Sequence, residues 1–144
     1  DGNISLDSQF VLDLGAEFQV GGIAVQPDGK IVMGGTLNQK MIVIRLLADE
    51  ATLDINFAAN GIFTYNTGTL NQLILQGDGT IVFCGQNNIQ GILVVLDRDG
   101  WKINSQSYIK GATFNDCISN ENCEIYVAGQ NTDGQSLLAK YVCA

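Results

Sequence analysis

The sequence predicts an all-β fold of three four-stranded, propeller-like blades, and three observations predict it. One pattern recurs along the chain: Ile23–Gly35 reads IAVQPDGKIVMGG, Leu73–Gln86 reads LILQGDGTIVFCGQ and Cys117–Gln130 reads CISNENCEIYVAGQ. Each is an apolar run, a polar turn, a second apolar run and a Gly. Asp28 returns as Asp78 and Ile81 as Ile125, a spacing in the range of about 20–50 residues that marks repeat architectures. Next, no segment holds a 3.6-residue apolar period; Leu46–Leu53 comes nearest, and Asp49 and Thr52 interrupt it. Finally, Ile81-Val82-Phe83-Cys84 and Ile92-Leu93-Val94-Val95-Leu96 are continuously apolar. A strand with one wet face alternates, so these strands are covered on both faces, as in sheets stacked face to face. A β-trefoil or β-prism with pseudo-threefold symmetry is the alternative for three repeats of about 48 residues.

The elements follow in order. Gly22–Gln26 runs into the Pro27-Asp28-Gly29 turn and then Lys30–Gly35. Pro presets φ, Asp caps the turn and Gly takes the positive φ. Met41–Leu47 follows, then an acidic turn at Asp49-Glu50 and a short outer segment through Phe57. The second repeat gives Asn71–Gln76, Ile81–Gln86, Ile92–Asp97 and, past Asp99-Gly100, Trp101–Tyr108. The third gives Thr113–Ser119, Ile125–Gln130 and, past Asp133-Gly134, Ser136–Val142. At least nine short antiparallel strands are expected. Asp1-Gly2 occupies the place of Asp49-Glu50 and Asp99-Gly100, which divides one repeat domain into repeats 1–48, 49–98 and 99–144. One copy would then be in register to continue into another. The chain opens on Asp1 rather than Met, as it would after removal of a signal peptide or of a preceding part.

Composition narrows the function. With 46% hydrophobic and 15% charged residues the 144-residue chain can bury a core. A net charge of -8 repels nucleic acid and anionic membrane. The apolar stretches Met41–Leu47 and Ile92–Leu96 are too short to insert in a bilayer as helices. There is no His, which removes the Ser-His-Asp arrangement, a His-activated Cys and most zinc sites. With no nucleophile–base pair or phosphate loop either, an enzyme is not expected, and no cofactor is called for. The four cysteines, Cys84, Cys117, Cys123 and Cys143, fit two disulfides and a secreted or cell-surface protein, with three connectivities open.

Ala24–Gly35, AVQPDGKIVMGG, resembles the delta-60 repeat of bacterial secreted and surface proteins. Ile44-Arg45-Leu46 stands where that family has Ala-Arg-Tyr. Leu53-Asp54-Ile55-Asn56-Phe57 and Leu6-Asp7-Ser8-Gln9-Phe10 match its LDTSF segment, and Lys140-Tyr141 returns in the third repeat. The resemblance implies a β-propeller-like fold and no activity.

Other candidates have plainer readings. Asp97-Arg98-Asp99-Gly100 is a partial calcium-loop pattern, but Arg98 interrupts it and no distal Glu is in register, so a hairpin turn is expected. Asp28-Gly29, Asp78-Gly79 and Asp133-Gly134 are read as repeated turns. Trp101, Tyr65, Tyr108 and Tyr126 could stack on sugar rings; Ala51 and Asn3 stand at the place of Trp101 in the other repeats, so packing is favoured. Asn3-Ile4-Ser5 is a formal glycosylation sequon.

Three blades are too few to close a propeller ring. The expected function is therefore a structural subunit that assembles head to tail with other copies of itself into a ring or filament. The expected interface holds Asp1, Ile4, Leu6 and Phe10 from one end and Leu137, Leu138, Tyr141 and Val142 from the other. An extracellular binding module for carbohydrate or a surface protein is the alternative.

Overall fold

The computed structural model describes residues 2–48 and 52–143. Eleven strands form three antiparallel sheets, and no helix occurs among the described residues, hence none long and apolar enough to cross a membrane. Sheet A orders β1 (Phe18–Val25), β2 (Ile31–Leu37), β3 (Lys40–Leu46) and β4 (Ile62–Thr67). Sheet B orders β5 (Thr69–Leu75), β6 (Ile81–Gln86), β7 (Gln90–Leu96) and β8 (Ile103–Lys110). Sheet C orders β9 (Thr113–Ser119), β10 (Glu124–Gln130) and β11 (Ser136–Val142). Every sheet pairs strands that follow one another in the chain, and none closes into a barrel.

The repeated turn builds the first hairpin of each sheet. Gly29 N–H donates to the Gln26 carbonyl (2.9 Å) and Lys30 N–H to Asp28 Oδ1 (3.0 Å). Gly79 and Asp78 repeat both bonds at 2.9 Å. Gly29 and Gly79 both sit at φ 90°, open to Gly and strained for a branched side chain. In the third copy Cys123 takes the left-handed place (φ 59°), and Asn120 Oδ1 accepts from the Asn122 and Glu124 N–H groups.

Registers repeat as well. The first strand of each sheet, β1, β5 and β9, carries one extra residue at the same level, namely Gly21, Asn71 and Asn115. At that level the strands run close: a Cβ on Gly21 would collide with the Leu70 carbonyl oxygen.

The sheets stack in chain order. Val32, Met41, Val43 and Tyr65 of sheet A bury against Leu70, Leu73, Phe83 and Val94 of sheet B. The opposite face of sheet B, with Val82, Cys84 and Leu93, buries against Phe114, Cys117, Ile125 and Val127 of sheet C. This double burial explains the unalternating runs in β6 and β7.

Three sequence expectations are corrected. The outer segment through Phe57 is a series of turns, and the fourth strand of sheet A is β4 beyond it. Phe57 is fully buried, so this stretch acts as a packed plug rather than an edge strand. The fourth strands of sheets A and B, β4 and β8, lie beyond residues 48 and 98, as the placement of the outer segments implies. Sheet C has three strands instead of four: among the described residues nothing pairs with the outer edge of β11. The segment with the matching Leu-Asp…Phe pattern instead leads into Leu12 and Leu14, which pack on the far face of sheet A. Finally, only Cys123 and Cys143 are bonded (Cα–Cα 5.6 Å), while Cys84 and Cys117 are free thiols in the core between sheets B and C. The neighbouring Cys117 thiol and burial both push the Cys84 thiol up, which keeps it protonated.

Candidate functional site

Strand β11 divides the expected interface residues by simple alternation. Leu137 and Tyr141 turn inward and pack on the core between sheets B and C; Leu138, Lys140 and Val142 turn outward. Ile118 of β9 and Tyr126 and Ala128 of β10 share the outward face. Leu138, Val142 and Ile118 are all well exposed. Lys140 Nζ lies 2.8 Å from Glu124 Oε1 and over the Tyr126 ring at 5.7 Å. Their mutual hydrogen bond lowers the Glu124 pKa and raises that of Lys140. Both groups are solvated, so the pair adds little stability. The disulfide fastens the end of β11 beside the start of β10, where Cys143 N–H also donates to the Cys123 carbonyl (3.1 Å).

From the other end, Ile4, Leu6, Phe10 and Val11 are exposed and outside any strand. Asp1 lies outside the described residues. The segment makes contact only further on, where Leu12 and Leu14 meet the cluster of Ile42, Ile44 and Leu46 on sheet A.

A buried polar network at the junction of sheets A and B was missed at the level of sequence. Arg45, on β3, donates from Nε to Asp54 Oδ2 (2.9 Å) and from an Nη to Asp99 Oδ1 (2.8 Å), the Arg98 carbonyl (3.1 Å) and Gln26 Oε1 (3.3 Å). Gln26 Nε2 in turn donates to the Gly79 and Arg98 carbonyls (3.1 and 2.8 Å). Lys30 adds an ion pair to Asp54 at 3.0 Å, and the Arg45 guanidinium lies 5.0 Å over the Phe57 ring. Arg45, Asp54 and Gln26 are buried. Burial pushes the Asp54 carboxyl up, but bonds from Lys30 and the Asn56 N–H and the charges of Arg45 and Lys30 outweigh it and hold it below the ordinary value. The signal for this network lay in the Arg45 and Asp54 positions of the repeat.

Asp97 and Asp99, read as a turn, are both engaged. Asp97 Oδ1 accepts from the Asp99 and Trp101 N–H groups, and Asp99 meets Arg45. Among the aromatics, Tyr65 is buried, edge-on to Phe83 and bonded through its hydroxyl to Gln106 and Tyr108, whereas Trp101 is exposed. An open groove of about 860 Å³ lies where the β2–β3, β4–β5 and β6–β7 loops meet, lined by the amides and hydroxyls of Gln19, Thr36, Gln39, Gln86 and Asn88 together with the Glu17 carboxylate and the Ile89 side chain. The sequence matches no family model and no curated protein.

Proposed function

We propose that this is an exported, non-enzymatic β-repeat protein, a structural subunit that assembles head to tail with copies of itself into a ring or filament. In this reading the sheets are propeller-like blades, as the delta-60 resemblance implies. The single observation that carries it is the open edge of β11, on a sheet one strand short of its two neighbours. An unpaired strand presents a row of free N–H and C=O groups and pairs with whatever strand reaches it. The exposed apolar segment with Leu6 and Phe10 repeats the Leu53–Phe57 pattern that precedes the fourth strand of sheet A. In a second copy that segment leads into the fourth strand of sheet C. A head-to-tail contact of this kind closes into a ring or runs on as a filament. The Cys123–Cys143 bond supports the exported assignment.

Sedimentation in native buffer tests the reading. The intact chain should form defined oligomers, and deleting residues 1–10 should leave monomers or non-specific aggregate. A truncated protein of unchanged native mass, or an intact protein that stays at 15.4 kDa at every concentration, would sink it.

The amide-lined groove favours a second reading, an extracellular binding module for a neutral, hydroxyl-rich ligand such as carbohydrate. Glycan-array binding that is lost on Gln39→Ala and Asn88→Ala would favour it; an array without signal would count against it.

A further inference from the structure

The repetition of register allows each position to be compared across the sheets. Val20, Leu70 and Phe114 are equivalent, since they face Gly35, Gly85 and Gly129. Ile23, Leu73 and Cys117 are equivalent in the same way, facing Met33, Phe83 and Val127. Where a sheet stands in front, these positions are sealed: Leu70 and Leu73 are 2% and 1% exposed, Phe114 and Cys117 0% and 2%. On sheet A, Val20 and Ile23 are 54% and 61% exposed, and Val25, the counterpart of Leu75, is bare beside them.

The outward face of sheet C shows the other half of the same contact. Val43, Leu93 and Leu138 are equivalent through Gly34, Cys84 and Ala128 opposite them. Val43 and Leu93 are sealed, at 0% and 3%, and Leu138 is 71% exposed. Gly34 faces the Leu70 and Leu73 side chains directly. Its position holds a Cys in sheet B, so Ala128 fits there. Apolar residues scattered singly need no partner, but a face whose counterparts are buried twice over in one molecule does.

We infer that the Ile118, Ala128 and Leu138 face of sheet C packs on the Val20, Ile23 and Val25 face of sheet A in a second copy, repeating the contacts of A with B and of B with C. This rests on the head-to-tail reading and names its contact surfaces. The bound copy's Leu12 and Leu14 stay where they are, since β4 also shares the face of sheet B through Phe63 and Tyr65.

Two blocked variants test it. Leu138→Glu spoils one face and Ile23→Glu the other, and both sites are exposed in the isolated molecule, so folding should be unaffected by circular dichroism and thermal melting. Each carboxylate would enter the contact unpaired and weaken it about a hundredfold. Each variant alone should therefore sediment as a monomer. An equimolar mixture should give a heterodimer and nothing larger, because one sound face of each kind remains. Should either variant melt early, Ile118→Glu and Val25→Glu serve as the second pair. Variants that assemble like the natural protein would overturn this inference while leaving head-to-tail assembly intact. A mixture that forms no dimer would mean a symmetric contact and would overturn this inference and the head-to-tail reading together. A natural protein that never assembles would overturn the assembly reading and this contact with it.

Discussion

Arg45→Met is the sharpest test of what joins sheets A and B. Met keeps an unbranched apolar stem against Phe57 and removes every polar contact of the guanidinium. Breaking a buried pair by removing one partner costs about 3–5 kcal/mol, because the other charge stays buried. Asp54 would retain Lys30 at 3.0 Å and the Asn56 N–H at 3.0 Å, which places the expected loss near the lower end, at about 3 kcal/mol. Asp99 is 44% exposed and returns to water at little cost. Urea unfolding at fixed protein concentration should show the midpoint falling with an unchanged slope. The double variant Arg45→Met, Asp54→Asn should recover part of the loss, since no carboxylate is then left buried. A loss under about 1 kcal/mol, the range of exposed pairs, would refute the claim that this network holds the sheets together.

Other outcomes are expected. Gly29→Val and Gly79→Val should each lower stability by about 1–3 kcal/mol in denaturant melts, whereas Asp28→Asn, which keeps the turn's acceptor oxygen, should cost far less. Thiol titration should find none of the four cysteines reactive in the native protein and two after denaturation without reductant, from Cys84 and Cys117; four would exclude the Cys123–Cys143 bond. Asp54 is held below its unfolded pKa, so its contribution is fully present above about pH 4 and is lost as pH falls through the lower folded value. Urea midpoints between pH 7 and 2 should drop accordingly, and Asp54→Asn should flatten that part of the profile.

How much of this was legible in the sequence follows from which interactions are local. The Pro27-Asp28-Gly29 and Gly77-Asp78-Gly79 turns are written in adjacent residues, and the strands on either side follow closely except β1, which begins at Phe18 rather than at Gly22 because Phe18–Gly21 carries no apolar run. The continuous apolar runs of β6 and β7 gave the stacking, because burial on both faces leaves no alternation. Strand β4 escaped notice because Ile62–Thr67 mixes Phe63 and Tyr65 with Thr64 and Asn66, a pattern that reads as strand only beside β3. The disulfide count failed for a related reason. Nothing local separates Cys84 and Cys117, sealed between two sheets, from Cys123 and Cys143 at the end of a hairpin. Arg45 and Asp54 lie nine residues apart, and their meeting depends on the plug at Phe57, which no periodicity describes.

The same logic is why the proposed assembly is argued from faces rather than from a pocket. A stacked sheet is stable only when each apolar face finds another, and of the three sheets only the middle one has both faces covered by another sheet. Sheet A presents the half of the contact that sheet B presents to A, and sheet C presents the half that sheet A presents to B. Because the exposed Val20, Ile23 and Val25 patch of sheet A and the Leu138 face of sheet C are unlike halves of one contact, the proposed pairing is not a two-fold pairing of like surfaces. In the proposed head-to-tail assembly, growth would stop only where the stacking rotation brings the last sheet C around to the first sheet A.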